Sequence, residues 1–349
     1  MDPDSASDVE RVPHGGSDDA DLLDFSANTN PVRPAGVADV YEAALADATR
    51  YVDGAPAFRA AAAEYVDCDP DAVVPTAGGM AALRLAFGVT VAPGDRVLVP
   101  EPSFGEYARE IRLQGGDPVG VAHDEVLGEA PADYAAAVVC TPNNPTGELA
   151  DPDALSEFAA DCRAAGTPLV VDEAFLDFTE APSLAGAPGA IVARSLTKMF
   201  GLPGIRAGFA VATGELGDRL RAARRPWAIS TPAAAVGRHC LERTTFVERT
   251  RERVERERAR IRGALATEFD VFPSDAPFLL VDVADADVGA GAGSAAGDPV
   301  DAVLARAREG GVAIRDARTF ARLDSHVRVA VRRPHENDQL LDALFDRDR

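Results

Sequence analysis

The sequence predicts an α/β fold, with a parallel sheet in a large lobe and a second, smaller α+β lobe. Short apolar runs alternate with stretches of helical periodicity, the pattern of successive βαβ units. The chain has 349 residues, well past the roughly 250 at which one hydrophobic core stops growing. Most of the apolar runs end in polar turns, and in a parallel sheet ligands bind beyond the carboxyl ends of the strands.

Residues 1–20 are acidic and polar, with no basic flank leading into an apolar stretch, so they read as a disordered tail and not as a secretory signal. Residues 21–44 are expected to form an N-terminal arm joining the small domain, 45–240 the large domain, and 241–349 the small C-terminal domain with its connecting helix. Candidate strands fall at 72–75, 96–99, 135–140, 169–171, 190–194 and 207–212, with helical patterns at 80–89 and 153–165, the latter closed by Gly166. A long charged helix is expected at 246–266, where Val247, Val254 and Ile261 share one stripe. Glu252 with Arg256, Glu255 with Arg258 and Glu257 with Arg260 are spaced to pair on its wet side. The glycine- and alanine-rich run 289–297 reads as a flexible loop. A helix at 300–308, strands at 312–315 and 327–331, and a final helix complete the chain.

Composition excludes several classes of function. The 46% hydrophobic and 26% charged residues are those of an ordinary globular chain. No apolar run reaches the roughly 18 residues of a membrane span, so a cytoplasmic location is expected. The four cysteines and five histidines are dispersed, without the close spacings of metal or redox sites, so neither metal nor disulfide is expected. A net charge of −22 opposes binding to nucleic acid or an anionic membrane. Abundant acid with almost no lysine suggests adaptation to a salty cytoplasm, where salt screens self-repulsion.

Lys198 is the only lysine; the other 34 of the 35 basic side chains are arginine. Arginine serves for surface charge, but only a primary amine can attack a carbonyl and form a Schiff base. Four motifs stand in order at predicted strand ends: Gly78-Gly79-Met80, Thr141-Pro-Asn-Asn-Pro-Thr-Gly147, Asp172-Glu-Ala-Phe175, and Ser195-Leu-Thr-Lys198 with Arg206 eight residues on. This ordered set closely resembles the pyridoxal-phosphate enzymes of the class I/II aminotransferase group, in the aspartate-aminotransferase superfamily, over nearly the whole chain from about residue 22. The resemblance implies the aspartate-aminotransferase-like fold, with a mainly parallel seven-stranded sheet flanked by helices, and a homodimer with shared active sites.

The resemblance also implies roles. Lys198 would hold pyridoxal 5'-phosphate covalently and then move protons. Asp172 would sit at the ring nitrogen, where a carboxylate keeps the ring protonated and electron-accepting. Asn144 is similar to the asparagine that bonds the ring's phenolic oxygen, and Phe104 to the aromatic that stacks on the ring. The amides of Gly79, Met80 and Ala81 at a helix start, the Ser195 hydroxyl and the Arg206 guanidinium would bind the cofactor phosphate. Tyr51, in Arg50-Tyr-Val-Asp-Gly54, resembles the residue that reaches the neighbouring subunit's phosphate. Arg328 matches the arginine for the substrate carboxylate. Arg315, Arg332 and Asn28 are candidates for a phosphate-bearing end of the substrate.

Two branches of the family fit, the L-threonine O-3-phosphate decarboxylases of cobalamin assembly and the histidinol-phosphate aminotransferases. The wording of Asp24-Phe-Ser-Ala-Asn-Thr-Asn-Pro31, of Arg225-Pro-Trp-Ala-Ile-Ser230 and of Leu323-Asp-Ser325 resembles the first. Phe175 is the sharpest sign, because the aminotransferases usually carry a tyrosine there and phenylalanine has no hydroxyl to donate. Met80-Ala81-Ala82 depart from the decarboxylase pattern, which has polar and acidic residues after the glycine turn. A third reading, a non-enzymatic pyridoxal-phosphate binder, would have kept the fold without the chemistry; here the lysine, aspartate and asparagine are all present.

Overall fold

The structure, a computed structural model, describes all residues except 4, 6–8, 52, 286–297 and 346–349. The loop expected at 289–297 lies outside the described residues. In chain order the strands are β1 (Leu23–Asp24), β2 (Val73–Thr76), β3 (Arg96–Glu101), β4 (Asp117–Ala122), β5 (Ala136–Cys140), β6 (Leu169–Asp172), β7 (Ala190–Ser195) and β8 (Gly208–Val211). They are followed by β9 (Asp270–Val271), β10 (Phe278–Asp282), β11 (Val312–Ala313), β12 (Arg315–Asp316) and β13 (His326–Ala330). The large sheet has seven strands in the order β2-β8-β7-β6-β5-β3-β4. Only β8 runs against its neighbours.

Its central strands read Ala-Ala-Val-Val-Cys, Leu-Val-Val-Asp and Ala-Ile-Val-Ala-Arg-Ser and are buried along their whole length. Helices cover both faces, so alternation gives way to continuous apolar runs, as parallel sheets require. The small lobe holds a four-stranded antiparallel sheet, β12-β13-β10-β9, and β1 pairs in parallel with β11. The run expected as one strand at 312–315 is therefore two short strands serving different partners. Strand β4 and the helix Glu106–Leu113 were not read from the sequence. Strand β4 is half-exposed and carries Pro118 and Gly120, which suit a sheet edge and blur strand periodicity.

The helix Gly79–Thr90 begins at the glycine turn. The helix Pro152–Ala165 is capped by Asp151, whose side chain accepts from the amides of Asp153 and Ala154, and ends at Gly166 with φ +75°. The connecting helix Thr244–Leu265 buries Val247, Val254 and Ile261. Glu257 pairs with Arg260 at 2.8 Å, but Arg258 donates to the Ala276 carbonyl at 3.1 Å. Part of the helix's charge thus ties it to the small lobe instead of to itself.

The segment expected as a disordered tail makes specific contacts in its described part. Arg109 Nε donates to the Glu10 carbonyl at 3.1 Å, and Arg315 donates to the carbonyls of His14 and Pro13 at 2.8 and 2.9 Å. The His14 ring meets Glu106 at 3.1 Å and lies 5.8 Å from the Phe104 ring. Backbone carbonyls are acceptors that a polar sequence supplies at any position, so composition gives no sign of such docking. All four cysteines are free thiols. Among the described residues no helix is long and apolar enough to cross a membrane.

Candidate active site

The parallel strands β5, β6 and β7 present their carboxyl ends side by side. Cys140 is paired with Asp172 and Asp172 with Ala193, and Ser195 closes β7 one turn before Lys198. A cavity of about 150 Å³ opens there, lined by Gly79, Met80, Phe104, Asn144, Asp172, Phe175, Ser195, Lys198 and Arg206, with Tyr107, Thr197 and others. Nine residues singled out in the sequence, eight from the four motifs and Phe104 from a fifth segment, thus meet in one small space.

Lys198 lies on the short helix Leu196–Met199. The arm clasps this turn: Asn30 N–H donates to the Lys198 carbonyl at 3.0 Å and Asn30 Nδ2 to the Met199 carbonyl at 2.7 Å. Burial pushes the Lys198 amine down to about 8, helped by the Arg328 charge and opposed by Asp172. An amine so depressed is partly neutral near neutrality and ready to act as a nucleophile. Its Nζ stands 5.4 Å from the centre of the Phe175 ring.

Asp172 is only 7% exposed, and burial raises its carboxyl while a hydrogen bond from Tyr107 holds it down. The Tyr107 hydroxyl donates to Oδ2 at 2.7 Å and the Ala174 amide to Oδ1 at 3.0 Å. Behind it Arg194 is buried between Glu173, at 2.9 Å, and Asp177. Burial raises Glu173 even so, and the two acids keep Arg194 firmly charged.

The glycine turn forms an anion cradle. Gly78 has φ +90°, and a Cβ there would lie 2.5 Å from Arg206 Nη2; a Cβ on Gly79 would lie 2.9 Å from Ser195 Cβ. Side chains at either position would fill the cradle. The first helical turn leaves the amides of Gly79 and Met80 without intrahelical acceptors, whereas Ala81 N–H is taken by the Gly78 carbonyl at 3.1 Å. Ser195 and Thr197 share a hydrogen bond of 2.8 Å. Arg206 holds a left-handed conformation with φ 57° and donates to the carbonyls of Ala77 and Pro203. A non-glycine residue held there costs about 1–2 kcal/mol, a strain of the kind that clusters at functional sites.

The predicted substrate residues divide. Arg328 is 4% exposed, bonds Asn144 Oδ1 and the Ser26 carbonyl, and lies over Phe278 and Phe320. Its register partner across the sheet is Arg315. Burial and the Arg315 charge push Arg328 down to about 9. Neither arginine forms a salt bridge among the described residues, and the buried Nε of each, like Asn28 Oδ1, lacks a hydrogen-bond partner. Arg332 is not brought to the pocket: it is engaged by Glu336 at 3.1 Å and by the Asp24 carbonyl. Tyr51 is 84% exposed and packs on Trp227, with ring centroids 4.6 Å apart, outside this chain's own cavity.

Tyr107 and Thr197 were not among the residues the sequence singled out, although Thr197 lies inside the motif Ser195–Lys198 and Tyr107 close to Phe104. Tyr107 sits three residues after Phe104, one helical turn, and Thr197 two residues after Ser195. Only a contact shows that their hydroxyls face the site.

The depressed amine, the buried carboxylate, the small-residue anion cradle and the orphaned polar atoms fit pyridoxal phosphate. The family described as Aminotransferase class I and II matches residues 20–344. This chain belongs to that family. A histidinol-phosphate aminotransferase of Symbiobacterium thermophilum is 33% identical over 93% of this chain and 90% of that protein. A proposed threonine-phosphate decarboxylase of Caldanaerobacter subterraneus is 30% identical over 91% of this chain and 88% of that protein. The crystal structure of the Sinorhizobium meliloti histidinol-phosphate aminotransferase in complex with pyridoxal-5'-phosphate matches with TM-score 0.81 at 21% identity, covering 92% of this chain and 89% of that one. The aminotransferase-family fold and its pyridoxal-phosphate cofactor follow for this chain.

Proposed function

We propose that this aminotransferase-family enzyme decarboxylates L-threonine O-3-phosphate to (R)-1-amino-2-propanol O-phosphate and CO₂, a step of cobalamin assembly. The observation that carries the reading is the pair Arg315 and Arg328, adjacent across β12 and β13 and free of carboxylate partners in the described residues. Two buried guanidiniums without counter-ions suit a substrate that carries two anionic groups, a carboxylate and a phosphate. Histidinol phosphate carries one.

When bound, pyridoxal phosphate supplies the electron sink for the pair left at the substrate's Cα. Lys198 would supply the amine that holds the cofactor and, when free, a base or acid beside the substrate's Cα. Asp172 would hold a proton at the ring nitrogen, and Asn144 and Arg206 would orient the ring and its phosphate. Arg328 and Arg315 fix the substrate's anions and thereby choose which Cα bond is broken. Phe175 offers no hydroxyl, so it gives Lys198 a ring face and no competing proton donor.

The second reading, a histidinol-phosphate aminotransferase, is favoured by the 33% identity to a relative of that name. The purified enzyme given threonine phosphate is expected to release CO₂ without any keto acid. Turnover of histidinol phosphate that depends on oxoglutarate, with no CO₂ from threonine phosphate, would refute the decarboxylase reading. We also infer a homodimer: Tyr51 and Trp227 are 84% and 55% exposed and stacked, and Tyr41 and Leu45 are exposed too, an arrangement suited to entering a second copy's site. Light scattering that gives the mass of a single chain would overturn that inference.

A further inference from the structure

Among the described residues Tyr107 is the largest fully buried side chain, yet its hydroxyl is not idle. It donates to Asp172 at 2.7 Å, while the ring meets Phe104 edge-on, with centroids 5.6 Å apart and planes at 87°. The helix Glu106–Leu113 places it there, one turn after the Phe104 loop. One side chain therefore braces both the carboxylate assigned to the cofactor's ring nitrogen and the aromatic ring assigned to its face.

We propose that Tyr107 is a positioning residue for pyridoxal phosphate, its hydroxyl fixing Asp172 as an oriented anion and its ring holding Phe104 in place. The inference rests on the family's cofactor and is independent of which substrate the enzyme takes.

A buried carboxylate stays charged only when donors and cations offset its lost hydration. Asp172 faces Tyr107 from the helix Glu106–Leu113, Cys140 from β5, Arg194 from β7 and Lys198 from the turn after β7. Cys140 cannot stand in for Tyr107: burial and Asp172 push its thiol far up, and its Sγ lies 3.4 Å from the Pro142 carbonyl. Arg194 is committed to Glu173 and Asp177. Lys198 gives up its ammonium when it holds the cofactor. Tyr107 is thus the side-chain donor to Asp172 that remains, and burial raises its own hydroxyl well above the usual range, so it keeps its proton and donates at every working pH.

The test uses the full chain stripped of cofactor and titrated with pyridoxal phosphate, read by the visible absorption of the bound cofactor as a function of pH, with thermal melting alongside. Y107F is expected to bind the cofactor on the order of tenfold to a hundredfold more weakly, the worth of a hydrogen bond to a charged group. The deficit should widen as pH falls, because an Asp172 with one donor fewer takes up a proton sooner. In a D172N background, where no anion needs fixing, adding Y107F should change affinity by less than about threefold. A Y107F protein whose affinity and absorption profile match the parent would overturn the proposal. So would a tenfold or greater loss caused by Y107F within D172N, which would make Tyr107 a packing residue alone. The D172N comparison strands no buried charge, so it remains readable even if Y107F by itself does not fold.

Discussion

The solitary lysine gives the sharpest test of the site's electrostatics. With the amine pushed down to about 8 from an ordinary 10.5, about a quarter of Lys198 is neutral at pH 7.5, against roughly 0.1% for an unperturbed lysine. That difference predicts a roughly two-hundredfold larger nucleophilic fraction at that pH. Because the chain has one lysine, acylation of the cofactor-stripped protein, followed by peptide mass mapping against pH, reads this amine with only the Met1 amine as a competitor. The midpoint of the rate profile should fall near 8. Two substitutions should move it in opposite directions. R328Q removes a charge that lowers the amine and should shift the midpoint up; D172N removes one that raises it and should shift the midpoint down. A midpoint at the ordinary lysine value, or shifts of the reverse sign, would refute the account of a buried amine poised between these two charges. The stability consequence has a definite sign. Between about 8 and 10.5 the unfolded chain binds the proton that the folded amine has released, so this group makes the cofactor-free fold gain stability as pH rises through that window.

Three further outcomes are expected. G78A should weaken cofactor binding by at least about tenfold through the left-handed strain and the 2.5 Å approach of its Cβ to Arg206, while the cofactor-free protein stays folded by circular dichroism; unchanged affinity would remove the glycine turn from the anion site. R194M leaves Glu173 and Asp177 buried without their cation and should cost about 3–5 kcal/mol in denaturant unfolding; a loss below about 1 kcal/mol would mean the two acids are not charged there. The chain's melting temperature should rise in molar potassium chloride as salt screens the charge of −22, and a flat response would count against adaptation to a saline interior.

Sequence by itself determined the class of fold and pointed to the strand ends where the candidate site lies. Continuous apolar runs such as Leu169–Val171 mark strands buried on both faces, the habit of parallel sheets, and such a sheet gathers its polar side chains at the strand ends, where Asp172, Ser195 and Lys198 stand. These residues were legible because strand, turn and functional side chain are adjacent in the chain. The edge strand β4 and the docking of residues 10–14 were not, since neither has a periodic apolar face. Which of the candidate arginines lie against the site was separated only by tertiary structure: Arg328 and Arg332 are four residues apart in one sequence motif, yet Arg328 bonds Asn144 while Arg332 is taken by Glu336. Tertiary structure alone also joined Tyr107 to Asp172 across 65 positions. A hydrogen bond across the core depends on how the strands and helices pack around it, and spacing along the chain carries no record of that.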